Sequence, residues 1–154
     1  MTKENYQKIK LLKLYELLYQ NTDEEHPLST AEICDQLAMQ GIKVDRRTLA
    51  DDIETLNNYG YEIIGCRGQH AKTYYVIDRS FAVPELKILI DAVQAASFIT
   101  PKKTAELIHK IAHLGGSHQA EILKSNLVNF NTNKHTNEAI YYNVQALEDG
   151  IARK

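Results

Sequence analysis

Arg46, Arg47 and Thr48 stand side by side and could do one kind of chemistry, the recognition of an anion or a base edge. The guanidinium group is planar, always charged, and carries a fork of donors. That fork pairs with guanine O6 and N7, or with a phosphate. Thr48 adds a hydroxyl for phosphate and a methyl for thymine. Lys43 lies just before this trio. Ser29 and Thr30 open the preceding predicted helix, where free backbone amides favour phosphate. Arg67, His70 and Lys72 fall together in a short polar stretch that could meet a nucleic-acid backbone or the minor groove.

Other chemistry is poorly supplied. His109 and His113 are spaced i, i+4, with His118 nearby, a spacing that can hold a divalent metal. No His-Glu-x-x-His occurs and no carboxylate lies between them, so they read as the polar edge of an amphipathic helix and no metal is assigned. Cys34 and Cys66 stand apart in unrelated contexts, without a Cys-x-x-Cys pair. Cys34 reads as small core, Cys66 as a strand-end thiol. Tyr74-Tyr75 and Tyr141-Tyr142 read as packing aromatics with one wet edge. No phosphate-cradling glycine loop, nucleophile elbow or paired-carboxylate motif is present. The expectation is a protein that is not an enzyme and uses no cofactor.

The elements that must position the arginines follow from periodicity and capping. Tyr6 to Tyr19 is predicted helical, with Ile9, Leu12, Leu14, Leu17 and Leu18 on a broad apolar face and Lys8, Lys10 and Lys13 along the rest. Asn21 to Pro27 is a polar, acidic loop. Ser29 with Glu32 forms a capping box, Leu28 and Ile33 a hydrophobic staple, and Gly41 a left-handed stop. A helix is therefore predicted over 30–40. Asp45 is the N-cap of the next helix, 45–58, with Val44 and Leu49 as its staple. Leu49, Ile53 and Leu56 recur at i, i+4 and i+7 and face a core, while Arg47, Asp51, Glu54 and Asn58 fall opposite. Arg47 and Asp51 are one turn apart, and an ion pair between them would orient the arginine. Residues 61–78 hold two runs rich in β-branched and aromatic residues around a polar loop, a β-hairpin with a basic tip.

After Asp78 the pattern is helical only. Residues 83–99 are apolar nearly all round, with Pro84 in the first turn; such a helix is buried in its own domain or forms a subunit interface. The next helix has Thr100 as cap, Pro101 at its first position and Gly115-Gly116 as stop. Residues 117–128 form a shorter helix, 130–135 a polar link, and 136–154 a last helix with Ile140, Val144, Leu147 and Ile151 on one stripe.

The chain has 154 residues, 44% apolar and 25% charged, enough for one ordinary domain or two small ones. Two free thiols and no secretory signal suit a reducing cytoplasm, and no apolar run approaches a membrane span. Net charge is −2. Residues 1–80 carry 10 Lys and Arg against 13 Asp and Glu, net −3; residues 81–154 carry 8 against 7, net +1. No global basic field exists, so nucleic-acid recognition must rest on local patches.

The stretch IKVDRRTLADDIETL, followed by YGYEI and the hairpin, resembles the N-terminal winged helix of bacterial WYL-domain transcriptional regulators, long grouped with the DeoR-like regulators. VPELKILIDAVQAASFITPKKTAELIHKI is similar to the family's helical middle region, and NKHTNEAIYYNVQALEDGI to the helix that leads into the WYL domain. The resemblance covers nearly the whole chain. It departs at the end: the sequence stops at Lys154, no Trp-Tyr-Leu tripeptide occurs, and there is no tryptophan. The expectation is either an excised N-terminal part or a short relative that lacks the sensor, so the family's ligand sensing is not carried over.

Together these readings predict a mainly α (α+β) protein, with a winged helix-turn-helix over 1–80 and an all-helical dimerisation or linking region over 81–154. The function expected is sequence-specific binding of double-stranded DNA by a homodimeric transcriptional regulator. Helix 45–58 would read the major groove and hairpin 61–78 the backbone. The alternative is a winged-helix protein-interaction module that binds no DNA, supported by the net −3 of residues 1–80.

Overall fold

The computed structural model describes residues 3–68, 71–125, 134, 136 and 139–153. Over these the protein is mainly helical with one small antiparallel sheet. It forms two compact units: residues 1–80 with 116–118, and residues 81–115 with 119–154.

The first unit runs α1 (Lys3–Asn21), β1 (Leu28–Ser29), α2 (Thr30–Met39), α3 (Arg46–Asn58), β2 (Ile63–Arg67) and β3 (Lys72–Val76). The capping box forms in full: the Glu32 amide donates to Ser29 Oγ at 3.3 Å, and the Ser29 amide to Glu32 Oε2 at 2.7 Å. Gly41 has φ +79, and its amide bonds Ala38 while that of Ile42 reaches Leu37. This closes α2 in the Schellman pattern, with Gln40 as the cap rather than the last helical residue. The same pattern ends α3, where Gly60 has φ +93, Gly60 bonds Asn57 and Tyr61 bonds Leu56.

β1 is unforeseen in the sequence reading. It is two residues long and pairs antiparallel with β3, which also pairs with β2, giving the order β1-β3-β2. The hairpin strands are shorter than the apolar runs that announce them, 63–67 and 72–76 within 61–78. Leu14, Leu17 and Leu18 of α1, Ile33 and Leu37 of α2, and the α3 stripe Leu49, Ile53 and Leu56 meet Ile63, Tyr74 and Val76 in one core.

Helix α1 corrects two expectations. Ile9 and Leu12 are exposed, at 39% and 63%, whereas Lys10 is buried at 5%. Lysine can be buried when its ammonium is paired; Lys10 Nζ lies 2.6 Å from Asp52 Oδ2. Burying Lys10 turns the neighbouring apolar positions outward.

The second unit holds α4 (Val83–Ala95), α5 (Pro101–His113), α6 (Ser117–Ser125) and α7 (Ala139–Ala152), the first two residues of α6 belonging to the first unit. Leu86, Ile90, Ile108, Ala112, Ala120 and Leu123 make its core. α4 stops short of the predicted Ile99. Ala96 is extended, the Lys134 ammonium donates to the carbonyls of Val93 and Ala96, and Thr100 and Pro101 start α5. Nor is α4 buried all round: Leu86 and Ile90 are buried and Val93 partly so, and Ile88 is 68% exposed. Val144, Leu147 and Ile151 of α7 are exposed too. Residues 126–128 and most of 130–135 lie outside the described residues, as does the Ile140 side chain. Among the described residues no helix is long and apolar enough to cross a membrane.

Candidate functional site

The site grows from the start of α3. Asp45 is extended, and its carboxylate accepts from the Arg47 amide at 2.9 Å. Thr48 Oγ donates to the Asp45 carbonyl at 3.1 Å, which leaves its methyl free. Because Leu49, Ile53 and Leu56 are buried, the helix is held by one side only. Arg46, Arg47 and Thr48, in its first turn, are all exposed.

The segment before α3 is anchored by a residue the sequence reading passed over. Tyr6 of α1 brackets the backbone of Lys43. Its hydroxyl accepts from the Lys43 amide and donates to the Lys43 carbonyl at 3.0 Å. The Lys43 side chain is left exposed. No local pattern announces this, since the pair is separated by most of α1 and all of α2.

The four acids near the arginines do different things. Asp45 is the cap. Asp52 turns inward to Lys10, an ion pair with side chains only 6% and 14% exposed. Its Oδ2 nevertheless lacks a hydrogen bond of good geometry, so the contact is charge pairing without alignment. Glu54 lines an open groove of about 280 Å³ with Ala50, Asn57, Gly65, Lys72 and Tyr74. Asp51 is exposed, and no ion pair joins it to Arg47 among the described residues. The predicted orienting pair is thus absent. An exposed i, i+4 pair contributes only about 0.2–0.5 kcal/mol, and the order base then acid is the weaker one. That does not offset the freedom two long side chains would lose.

The sheet joins α2 to the hairpin. Ser29 pairs with Thr73, and Thr30 Oγ donates to the Lys72 carbonyl at 3.3 Å. Lys72 in turn pairs with Arg67 across the hairpin. The sheet therefore brings Ser29 and the start of α2 close to Arg67 and Lys72, which their distances in sequence do not suggest. Lys72 Nζ also lies 5.1 Å from the Tyr74 ring centre. His70 lies outside the described residues. Ser29 and Thr30 are committed to cap and sheet, and the Glu32 carboxylate stands at the same helix start. Ser29 hydrogen bonds hold that carboxyl below its usual range, so it is charged where a phosphate would approach.

Asn57 fixes the other end of α3. Its side chain donates to the Ile63 carbonyl and accepts from the Ile63 amide, both at 2.9 Å, which sets the hairpin's start.

Elsewhere, the His109 and His113 rings lie 4.4 Å apart, but Lys124 Nζ approaches His113 Nε2 at 3.2 Å. Burial, Lys124 and His109 all push the His113 pKa down. An ammonium at the ring nitrogen opposes a second cation there. Among the described residues no cluster of three or more His, Cys, Asp or Glu could hold a metal ion. Cys34 is buried, and burial pushes its thiol pKa up, so it is a poor thiolate. Cys66 is exposed, next to the last residue of β2.

No family model matches the chain, and no curated protein matches it.

Proposed function

We propose that this protein is a sequence-specific regulator of transcription that binds double-stranded DNA through a winged helix-turn-helix. In this reading α2 braces α3, α3 enters the major groove by its N-terminal turn, and the β2–β3 hairpin is the wing. One observation carries the proposal. Arg46, Arg47 and Thr48 are exposed at the start of a helix whose Leu49, Ile53 and Leu56 stripe is committed to the core. Two arginines at a helix N-terminus oppose the helix dipole by roughly 0.3–1 kcal/mol each, so helix stability does not account for them. The resemblance of Ile42–Ile63 and of the helices beyond to WYL-type regulators supports the same reading.

In this reading Lys43, Arg67 and Lys72 contact the phosphate backbone, while base choice rests on Arg46, Arg47 and Thr48. Ser29 and Thr30 contribute through backbone amides, against the charge of Glu32. Residues 81–154 serve as a dimerisation region, supported by the exposed Ile88, Val144, Leu147 and Ile151. A dimer would set two α3 helices on two half-sites.

The second reading, a protein-interaction module, is favoured by the net −3 of residues 1–80. Fluorescence anisotropy on a duplex of arbitrary sequence separates the two. A DNA reader binds with a steep inverse dependence on salt. A folded chain that binds no duplex at low salt is an interaction module.

A further inference from the structure

Asp51 and Glu54 are the exposed acids of α3 with no side-chain hydrogen bond or ion pair among the described residues, and Asp51 is the nearer of the two to Arg46 and Arg47. Asp45 caps the helix and Asp52 holds Lys10. The Asp51 carbonyl accepts from Thr55 Oγ at 2.8 Å, as a helix backbone group can, but its carboxylate is exposed and in no ion pair among the described residues. It stands one turn beyond Arg47 on the same outer face.

An unpaired carboxylate facing DNA meets phosphate repulsion unless it finds a donor. The major groove offers two amino donors, cytosine N4 and adenine N6. Beside adenine N6 lies N7, an acceptor that repels a carboxylate. Beside cytosine N4 there is no acceptor on the same base. A carboxylate therefore selects cytosine, whereas an amide, which donates and accepts, selects adenine.

Resting on the DNA-reading proposal above, we propose that Asp51 reads a cytosine through its N4 amino group. Four residues of helix rise about 6 Å, and base pairs are stacked about 3.4 Å apart. The cytosine then lies within about two base-pair steps of the guanine or phosphate taken by Arg47. The operator half-site contains a fixed C at that spacing, and the neighbouring arginines account for G.

The test is a duplex selection with the full chain, wild type against Asp51→Asn, followed by anisotropy on the selected duplex and its single-base variants. Asp51 is exposed, so the substitution leaves the fold intact, which a thermal melt verifies. The wild type is expected to prefer C at one position by about tenfold or more, and Asp51→Asn to prefer A there with the other positions unchanged. If Asp51→Asn instead binds every sequence more tightly by one common factor, Asp51 only repels phosphate and the inference is overturned. A wild type that binds no duplex at low salt overturns the DNA reading itself, and this inference with it.

Discussion

Lys10 and Asp52, far apart in sequence, meet at 2.6 Å and join α1 to α3. Both side chains are nearly out of water, at 6% and 14% exposure. A buried pair gives little net stability, because desolvating two charges offsets their attraction, but breaking it leaves one charge stranded. Lys10→Met alone should therefore cost about 3–5 kcal/mol in urea denaturation, and Lys10→Met with Asp52→Leu should recover most of it. A single substitution costing under about 1 kcal/mol would mean that Asp52 swings out to water instead.

Tyr6 makes a second tie between α1 and the approach to α3. Tyr6→Phe removes both hydrogen bonds to Lys43 and keeps the ring. Global stability should fall by about 1–2 kcal/mol. The sharper measurement is amide exchange: the Lys43 amide should lose protection while those of the buried α3 turns keep theirs. Unchanged exchange at Lys43 would remove Tyr6 from the account.

The capping box at α2 gives two linked readouts. Ser29→Ala should cost about 1 kcal/mol of stability. It should also let the Glu32 carboxyl rise towards its ordinary range, because Ser29 is what holds it down. An NMR titration that finds Glu32 unmoved by the substitution would contradict the geometry at this helix start.

These three contacts mark what the sequence could and could not disclose. The caps and stops were legible because they are local: Ser29 with Glu32, Asp45 before Arg46, Thr100 before Pro101, and Gly41 in left-handed conformation. The α3 stripe was legible because Leu49, Ile53 and Leu56 repeat at the helical period. Lys10 was misread as a solvent-facing lysine because its partner is remote in sequence, and periodicity counts every lysine as polar. β1 escaped notice because two residues have no periodicity; only pairing with β3 makes Leu28 and Ser29 a strand. α4 was read too long because its apolar run continues through Phe98 and Ile99, while the chain stops being helical at Ala96. In the candidate site, the exposure of Arg47 followed from the stripe, whereas Arg46 lies three residues before Leu49 and is exposed because it stands in the first turn. The approach of Ser29 and Thr30 to Lys72 was not legible, being a product of the sheet.

His113 gives the helical unit a pH dependence of definite sign. Burial, Lys124 and then His109 hold its pKa below the ordinary 6.5, so the folded protein takes up a proton there less readily than the unfolded chain. Unfolding restores the ordinary affinity for a proton. The stabilising contribution is therefore complete above about pH 6.5, and falls away as the pH drops through 6.5 towards the lower folded pKa. Thermal melts at about pH 7.5 and 5.5 should show a larger loss for the wild type than for His113→Gln. Equal losses would show that His113 is not the group that titrates.

The central claim is that the start of α3 meets DNA, and one comparison tests it most directly. Anisotropy of a labelled duplex is followed across a salt series for the wild type and for Arg46→Ala/Arg47→Ala. Both positions are exposed, so the variant should melt close to the wild type. The account predicts salt-sensitive wild-type binding, and a variant weaker by about tenfold or more with a shallower salt slope. Wild-type binding that the double substitution leaves unchanged would place the DNA contact elsewhere and contradict the account.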